Sequence, residues 1–383
     1  MRRILISAGD YSADIHGEQL IREMRQMDTA LHVTALGGVK LKKVADDFLK
    51  DMVDLDVSGF SQPIKQFFNL KRILQKTIFP KLNPQTLDAV VLIDYYGFNI
   101  HIAAKARQNN VPVFYFVSPQ VWASRRWRVQ RLKKNVTKML VIFPFEETLY
   151  RESGVPVEFV GHPLMEDVVG APEWKNTLNG PGSRVRLGLM PGSRLRELTR
   201  HIPTMLQSCS LLKERFPNLE VKLFAVEAIA EETYRDLIRS AQKDIPNPVE
   251  PEIVYSPDYA LRTELTLCLT ASGTATLENA LLGIPMVVIY QTSWLTYWIA
   301  RQLIQVPFIS MANILSGKKV VPELIQADAD PGKIAGLIGD YCARPELLES
   351  MHRELIELRR KLGPPGAYKR AAVSILERLS KPS

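Results

Sequence analysis

Small, hydroxyl-bearing and charged residues follow four of the apolar runs in this 383-residue sequence, where they could bind a ligand. The first such junction contains Gly9, which permits a sharp turn, and then Ser12 and Asp14, which can cap or line the start of a helix. His16 lies in the same segment. The spacing is not the Gly-x-Gly-x-x-Gly fingerprint, so it disfavours a dinucleotide enzyme.

Asp94 closes the second apolar run, which ends Leu92-Ile93-Asp94. In open α/β sheets, ligands bind beyond the carboxyl ends of the strands, so this carboxylate is expected at the mouth of a crevice. There it could accept a proton from a substrate hydroxyl. The plainer interpretation is a cap or turn residue, which is the commoner role of a lone aspartate.

The third junction reads Met-Pro-Gly-Ser-Arg, with Gly192 and Ser193 at the start of a predicted helix. The N–H groups at such a helix start suit a diphosphate, and Arg194 adds a charge-assisted donor. Gly-Ser turns are common, however, so this segment alone is a weak signal.

The fourth junction repeats the pattern with Ser272, Gly273 and Thr274 after another apolar run. Glu278 lies one turn further on, where a carboxylate could accept both hydroxyls of a ribose. Two junctions that suit phosphate in the same half of the chain predict a nucleotide-diphosphate site there.

Strand and helix patterns alternate along the whole chain, which is typical of parallel α/β layers. One predicted helix has an apolar face that begins with Ala13 and Gly17, small residues that would let it approach the sheet closely. The predicted strands are short β-branched or aromatic runs at 3–8, 32–36, 89–94, 113–117, 139–143, 185–190, 220–224, 252–255, 265–270 and 286–290.

A stretch rich in proline and glycine separates two such sets, so we predict two doubly wound domains with a ligand cleft between them. The predicted boundaries are 1–163 for the N-terminal domain, 164–183 for a linker and 184–362 for the C-terminal domain. Residues 363–383 are predicted to form a last helix that packs back on the N-terminal domain.

The composition, 46% hydrophobic and 23% charged, is that of a globular protein, and the net charge is +8. Positive charge is concentrated at 57–82 and 124–138, which hold five and seven basic residues and no acid. Such a surface attracts a nucleic acid, an anionic membrane or a phosphorylated substrate. The six histidines and three cysteines are scattered, so no metal site is expected.

Six segments together resemble the lipid-A-disaccharide synthase family. They are Ser-Ala-Gly-Asp-Tyr-Ser-Ala-Asp-Ile-His-Gly (7–17), Val-Ser-Pro-Gln-Val-Trp-Ala (117–123), Phe-Pro-Phe-Glu (143–146), Val-Gly-His-Pro (160–163), Met-Pro-Gly-Ser-Arg (190–194) and Ala-Ser-Gly-Thr-Ala-Thr-Leu-Glu (271–278). The resemblance implies a GT-B fold, two Rossmann-like domains facing across a cleft, and an inverting transfer without metal or cofactor. It implies UDP-2,3-diacylglucosamine as donor and 2,3-diacylglucosamine 1-phosphate as acceptor, giving the β-1,6-linked disaccharide 1-phosphate and UDP.

The resemblance also assigns roles to residues of this chain. Asp94 resembles the family's essential aspartate, the candidate general base, although His16 stays open as the alternative, and Arg194 resembles its essential arginine. The UDP-binding residues implied are Gly192, Ser193, Arg194, Ser272, Gly273, Thr274, Glu278 and Asn313, and those of the first, acceptor-side loop are Gly9, Ser12, Asp14 and His16. The chain departs from the family pattern at Asp10 and Ala13 in the first loop, and at Tyr96 and Gly97 after Asp94, where a carboxylate near the acceptor site is missing.

With lipid substrates in view, the two basic segments favour contact with an anionic membrane. The implied protein is a cytoplasmic enzyme, peripheral on the inner face of the inner membrane, with a possible homodimer. The residues expected to contact membrane or lipid phosphate are Phe60, Phe67, Phe68, Lys71, Arg72, Arg125, Arg126 and Arg128. The simpler alternatives are an amphipathic core element and a solvated helix face.

Three other functions remain open from the sequence. Another GT-B enzyme that uses a UDP-sugar, such as a cell-wall N-acetylglucosaminyltransferase or a UDP-sugar 2-epimerase, would share the nucleotide loops. A non-catalytic nucleotide-binding relative would share them too. A nucleic-acid-binding protein would fit the pI of about 9.2, but no such module is recognisable and large apolar residues are interleaved with the basic ones, so no nucleic-acid partner is expected.

Overall fold

The structure, a computed structural model, describes residues 1–53, 63–168, 170–178, 183–255, 259–304 and 306–380. The chain forms two compact units. Unit 1 comprises Met1–Glu166 together with Leu362–Ser383, and unit 2 comprises Asp167–Lys361. Phe60, which the sequence analysis assigned to a membrane surface, lies outside the described residues, and so does the side chain of Phe67.

Unit 1 is built on a seven-stranded parallel sheet with the order β3-β2-β1-β4-β5-β6-β7. Its central strands are apolar over their whole length because helices cover both faces of a parallel sheet. The strands are β1 (Arg3–Ala8), β2 (His32–Gly37), β3 (Asp47–Asp51), β4 (Ala89–Ile93), β5 (Val113–Phe116), β6 (Lys138–Val141) and β7 (Val157–Phe159).

Helices connect these strands, because neighbouring parallel strands need crossover connections. They are α1 (Tyr11–Met27), α2 (Val39–Val44), α3 (Pro63–Ile73), α4 (Tyr96–Gln108), α5 (Arg128–Asn135), α6 (Pro144–Glu152) and α7 (Leu164–Asp167). A π-helical turn, Leu74–Ile78, and a 3-10 turn, Phe79–Lys81, continue α3. Gly17 on α1 allows the close approach of α2 and not, as expected, of the sheet, since a Cβ there would lie 2.9 Å from a methyl group of Leu41 on α2.

Unit 2 contains a six-stranded parallel sheet with the order β10-β9-β8-β11-β12-β13. Its strands are β8 (Arg186–Met190), β9 (Glu220–Phe224), β10 (Glu252–Val254), β11 (Leu267–Ala271), β12 (Met286–Tyr290) and β13 (Glu323–Ile325). Its helices are α8 (Leu195–Arg215), α9 (Glu231–Gln242), α10 (Ala260–Thr263), α11 (Thr274–Leu282), α12 (Trp294–Leu303), α13 (Met311–Ser316), α14 (Pro331–Ala343) and α15 (Pro345–Lys361), with a 3-10 turn at Gln326–Asp328.

Residues 170–178, which the sequence analysis placed in a linker, pack on unit 2. The indole of Trp174 donates a hydrogen bond to the Leu265 carbonyl at 2.8 Å and lies 5.0 Å, between ring centroids, from His352. The hydroxyl of Thr177 is hydrogen-bonded to that of Thr266 at 3.0 Å. Contacts of this kind make the segment part of the unit.

The last helix, α16 (Ala367–Ser380), belongs to unit 1 and packs against α1. Its buried face includes Ala371, Ala372 and Ile375, each 0% exposed. The chain therefore leaves unit 1 after α7 and returns to it at the end, so unit 1 is formed by two separate stretches of sequence.

Candidate active site

Asp94 lies on a strained turn directly after β4. Asp94 and Tyr95 both have left-handed backbone conformations, with φ of 41° and 46°. Two successive residues other than glycine in this region cost energy, and such strain is concentrated at functional sites. The surrounding structure must therefore hold the turn in place.

Asn99, in the first helical turn of α4, stabilises the Asp94–Tyr95 turn through hydrogen bonds. It is fully buried, and its side-chain amide donates to the carbonyls of Ile93 and Asp94 at 3.1 and 2.9 Å. The Ser7 hydroxyl donates to its side-chain oxygen at 2.8 Å, and the Tyr115 hydroxyl also donates to the Asp94 carbonyl. The sequence analysis assigned no role to Asn99.

Gly9 lies beside the same turn because β1 pairs with β4, with Ala8 opposite Ile93. A Cβ on Gly9 would overlap the ring of Tyr95. The glycine is therefore needed for close approach of the two loops, in addition to the turn that the sequence analysis expected. This contact brings the first and second junctions together.

Burial raises the pKa of Asp94 to about 6, and the nearby negative charge of Asp10 adds to the shift. The backbone N–H of Tyr95 opposes it by donating to the carboxylate. A general base works best when its pKa lies near the working pH, since it is then both ionised and basic enough to take a proton. Asp94 has this property.

His16 is the second titratable group near Asp10. Burial lowers its pKa to about 4, against the opposing charge of Asp10, so the imidazole is neutral at pH 7. Its Nδ1 is hydrogen-bonded to the hydroxyl of Tyr368 at 2.8 Å, and its ring lies edge-on to Phe116. A neutral imidazole can still accept a proton. Both candidate bases, Asp94 and His16, interact with the charge of Asp10 and therefore lie in the same cluster.

The first loop is organised differently from the prediction in one respect. Asp10 caps α1 by accepting from the Ala13 N–H at 2.8 Å, while Ser12 is exposed. Asp14 is 1% exposed and accepts from the N–H groups of Gly38, Lys40 and Leu41 at 2.6, 2.9 and 3.1 Å. Since both its oxygens are used at the start of α2, Asp14 has a structural role instead of facing a ligand.

A buried hydrogen bond joins two of the segments that carry the family resemblance. The indole of Trp122 donates to Glu146 at 3.1 Å, and the backbone N–H of Phe143 donates to the other carboxylate oxygen at 3.3 Å. Burial raises the pKa of Glu146 to about 8. The ring of Phe145 packs edge-on against Trp122 and stacks on Phe143, so the loops after β5 and β6 are fixed to each other.

In unit 2, the third and fourth junctions come together because β8 and β11 are neighbours, with Met190 opposite Thr270. The carboxyl ends of parallel strands meet at one edge of a sheet, so residues 191–194 and 272–274 lie at the same edge. The structure thus places both phosphate-type loops predicted from the sequence side by side.

The loop after β8 differs from the expected open anion site. Glu197 accepts from the backbone N–H groups of Ser193 and Arg194 at 3.1 and 3.3 Å, so these N–H groups already have an acceptor. Gly192 has a φ of 116°, and a Cβ there would overlap the Glu197 carboxylate. The Arg194 guanidinium lies 3.4 Å from Glu197 and its side chain is 63% exposed, which leaves it accessible to a ligand.

His201 on α8 connects this loop to the end of β12. Its Nε2 accepts from the Gln291 N–H at 3.1 Å, so its Nδ1 carries the proton and donates to the Pro191 carbonyl at 2.7 Å. Burial lowers the pKa of His201, which keeps it neutral. A histidine on an otherwise apolar helix face gave no sequence signal for this positioning role.

In and after the loop that follows β11, two residues are exposed and two side chains are bonded to neighbouring groups. Thr274 and Gly273 are exposed, and a Cβ on Gly273 would contact nothing in the described chain. The Ser272 hydroxyl donates to the Ile309 carbonyl at 2.8 Å. Glu278 is paired with Arg262 at 2.5 Å, so a ribose would have to share this carboxylate with the arginine.

Asn313 has a different role from the direct UDP contact that was expected. Its side-chain oxygen accepts from the N–H groups of Val320 and Val321, and its amide donates to the Val321 carbonyl and to Glu323, all at 2.7–2.9 Å. These four bonds use the full capacity of an amide. Glu323 also accepts from the backbone N–H of Ser310 at 2.9 Å. Asn313 therefore positions the start of α13.

The residues assigned to membrane or phosphate contact lie in unit 1. Phe68 is 62% exposed, and Lys71 and Arg72 are exposed on the same helix. Arg125 and Arg126 are exposed as well, whereas Arg128 is half-buried. Across the part of the chain that the structure describes, no helix is both long and apolar enough to span a bilayer.

Within the residues that the structure describes, no group of three or more histidine, cysteine, aspartate or glutamate side chains is arranged to hold an ion. The three cysteines, Cys209, Cys268 and Cys342, are buried free thiols.

Comparison with solved structures shows the fold. The chain superposes on a putative UDP-N-acetylglucosamine 2-epimerase from Listeria monocytogenes with a TM-score of 0.65 at 12% identity, covering 100% of this chain and 97% of that one. It superposes on MurG from Acinetobacter baumannii with a TM-score of 0.58 at 12% identity, covering 98% and 100%. These likenesses and the two parallel sheets confirm the predicted GT-B fold.

Comparison of sequences shows the family. A family model described as Lipid-A-disaccharide synthetase matches residues 4–342. A lipid-A-disaccharide synthase of Syntrophus aciditrophicus (strain SB) is 38% identical over 383 residues, covering 99% of this chain and 98% of the relative. Because these matches run through both units, the chain belongs to the lipid-A-disaccharide synthase family of glycosyltransferases.

Proposed function

We propose that this chain transfers 2,3-diacylglucosamine from its UDP derivative to the 6-hydroxyl of 2,3-diacylglucosamine 1-phosphate. The products are the β-1,6-linked disaccharide 1-phosphate and UDP. Family membership over the full chain supports the substrates. The observation that carries the chemistry is Asp94, a carboxyl with a pKa of about 6 on a strained turn at the carboxyl end of β4.

In the proposed step, the Asp94 carboxylate accepts the proton of the acceptor hydroxyl. The hydroxyl oxygen then forms a bond to the anomeric carbon of the donor as the bond from that carbon to the diphosphate oxygen breaks. UDP leaves with the bonding electrons. A single displacement of this kind inverts the configuration at the anomeric carbon. His16, neutral and close to Asp10, is the alternative acceptor of the proton.

Arg194 is proposed to neutralise the negative charge that grows on the leaving diphosphate. Its guanidinium is exposed and only weakly held by Glu197, at 3.4 Å, so it can move to a ligand. Backbone N–H groups of Gly273 and Thr274 would contribute further donors at the same edge of the sheet, whereas the Ser272 N–H already donates to the Ile289 carbonyl. We propose that these groups take the place of a metal ion in a metal-independent transfer.

The two units are proposed to divide the work between donor and acceptor. Unit 2 binds the UDP-sugar, while unit 1 supplies the base and the surface that meets lipid. The exposed Phe68, Lys71 and Arg72 combine an aromatic ring with two positive charges, which suits an anionic membrane surface.

The test is an assay of the purified chain with synthetic diacylated donor and acceptor in mixed micelles, with the product identified by mass spectrometry. UDP-N-acetylglucosamine is offered in parallel. We expect a disaccharide 1-phosphate from the diacylated pair and no turnover of the non-acylated sugar. Turnover of UDP-N-acetylglucosamine alone would contradict the proposal and favour an epimerase or a cell-wall transferase.

A further inference from the structure

Arg128, at the start of α5, stacks on a buried tyrosine of α4. Its guanidinium carbon lies 4.4 Å from the centroid of the Tyr96 ring, and Tyr96 is only 7% exposed. Among the described residues, neither the Tyr96 hydroxyl nor the Arg128 Nε has an acceptor for its proton, although both atoms are buried, and the phenol oxygen is approached by another donor, the Arg131 guanidinium. Unsatisfied buried donors are costly and rare in folded proteins, so two adjacent ones call for a ligand.

The charges around Arg128 have one sign. Burial lowers the pKa of Arg128, and the positive charges of Arg125 and Arg131 lower it further. The phenols of Tyr96 and Tyr115 oppose this shift. None of these neighbouring groups is a carboxylate. Nearby in the sequence, Glu147 is occupied by Arg151 at 2.8 Å. Three guanidinium groups are thus held together without an acidic partner in the described part of unit 1. An anion placed among them would relieve this repulsion.

We propose that Arg128, Arg131 and Tyr96 form a binding site for a phosphate group in unit 1. A phosphate offers several acceptor oxygens in a tetrahedral arrangement. Two guanidinium groups and a phenol hydroxyl, approaching from α4 and α5, supply donors from different directions. Arginine is favoured for this task because its planar group can donate two hydrogen bonds to one phosphate.

The site is close to the candidate base. Tyr96 follows Asp94 by two residues, and the Tyr115 hydroxyl that acts on Arg128 also donates to the Asp94 carbonyl. The inference rests on the proposed function: the 1-phosphate of the acceptor is one source of the phosphate, and an anionic lipid headgroup is the other. Held here, an acceptor would be oriented by its phosphate while its hydroxyl faces Asp94.

The kinetic test compares two acceptors, the 1-phosphate and its 1-O-methyl analogue without phosphate, in neutral detergent micelles. The readout is the ratio of their kcat/KM values. We expect Arg128→Gln and Arg131→Gln to lower this ratio about 10- to 100-fold, the effect of losing a charge-assisted hydrogen bond. Tyr96→Phe, which keeps the ring, lowers it less, and Arg128→Lys restores part of it.

Lys134→Gln is the matched control because it removes one positive charge from an exposed position of the same helix. It should leave the ratio at the wild-type value. A second arm measures sedimentation with phosphatidylglycerol and phosphatidylcholine vesicles. A loss confined to the phosphorylated acceptor identifies the sugar phosphate as the source, whereas a loss confined to phosphatidylglycerol vesicles identifies the headgroup.

A third arm titrates inorganic phosphate by calorimetry and needs no turnover. If the wild-type chain shows no transferase activity but binds phosphate, and Arg128→Gln does not bind it, the proposed function fails while the site stands. The site itself is overturned if Arg128→Gln and Arg131→Gln behave like Lys134→Gln in all three arms. An equal loss with both acceptors, without any change in binding of phosphate or vesicles, would also overturn it by showing a structural role alone.

Discussion

At the scale of single residues, Asp94 and Asp10 form an electrostatic pair in which one carboxylate tunes the other. The negative charge of Asp10 contributes to the raised pKa of Asp94, after burial. Asp10 also caps α1, but an asparagine caps a helix about as well as an aspartate does. The charge of Asp10 can therefore be removed without removing the cap.

Asp10→Asn should move the acid limb of the pH profile to lower pH. In the wild type, we expect kcat/KM to rise with pH through an apparent pKa near 6, because Asp94 must be ionised to act as the proposed base. Removing a neighbouring negative charge favours the ionised form, so the limb shifts down. The measurement is kcat/KM between pH 4.5 and 8.5.

Asp47→Asn, at an exposed position of β3 in the same unit, is the charge-matched control and should leave the limb in place. Asp94→Asn should abolish turnover over the whole pH range. A limb that stays at its wild-type position in Asp10→Asn, or that follows His16→Gln instead, would transfer the role of base away from Asp94.

In unit 2, Arg194 is the single residue with a proposed catalytic role, the neutralisation of charge on the leaving diphosphate. Arg194→Ala should lower kcat about 100- to 1,000-fold, the usual effect of losing a group that stabilises charge in the transition state. Arg200→Ala removes an exposed arginine from α8, the helix that Arg194 precedes, and should keep kcat. Steady-state kinetics decide between them, with circular dichroism to show that both variants fold. Activity retained in Arg194→Ala would end the role proposed for it.

At the scale of elements, the junction between β4 and α4 depends on one buried amide. Asn99 donates to two successive carbonyls of a turn whose residues have positive φ. The strained conformation of Asp94 and Tyr95 is therefore stabilised by a residue of the following helix. The consequence is that helix stability and the position of the candidate base are linked.

Asn99→Ala should lower both the free energy of unfolding and kcat/KM. The expected destabilisation is about 1–3 kcal/mol, because two buried carbonyls lose a donor. Urea unfolding followed by circular dichroism measures it. Gly97→Ala on the same helix is the control with the opposite sign, since a Cβ there meets nothing within 4 Å and alanine is favoured over glycine in helices by about 0.5–1 kcal/mol. Equal stability of Asn99→Ala and the wild type would contradict the linkage.

At the scale of the whole molecule, the chain end completes unit 1. The helix α16 covers α1 and carries Tyr368, whose hydroxyl is bonded to His16 at 2.8 Å. Arg370 adds a hydrogen bond to the Val160 carbonyl at 2.8 Å, and Ser374 one to Glu158 at 2.7 Å. The candidate active-site cluster of unit 1 is thus built from residues more than 350 positions apart in the chain.

Ile375→Ala should destabilise unit 1 by about 2–5 kcal/mol, because it leaves a cavity at a fully buried position between α16 and its neighbours. Glu377→Ala changes an exposed residue of the same helix and should have little effect. Urea or thermal unfolding distinguishes the two. If both variants unfold like the wild type, α16 is not an integral part of the unit.

Local sequence was sufficient for the central strands and for the order of the fold. The strands expected at 3–8 and 286–290 coincide with β1 and β12, because a strand buried on both faces must be a largely apolar run. The strand expected at 220–224 coincides with β9, in which the charged Glu220 and Lys222 alternate with apolar residues. β3, β7 and β13 were missed. Each is the outermost strand of its sheet and only partly buried, so it carries no such run.

The junctions that contain the candidate site could also be predicted from the sequence, since glycine, serine and charged residues after an apolar run form a local pattern. The contacts of these side chains could not be predicted. Asp14 meets α2, Glu197 folds back on its own loop, and Asn313 meets Glu323. Trp122 reaches Glu146 and Tyr368 reaches His16 only after the sheet of unit 1 has formed. A hydrogen bond depends on distance in space, and the sequence by itself determines only distance along the chain.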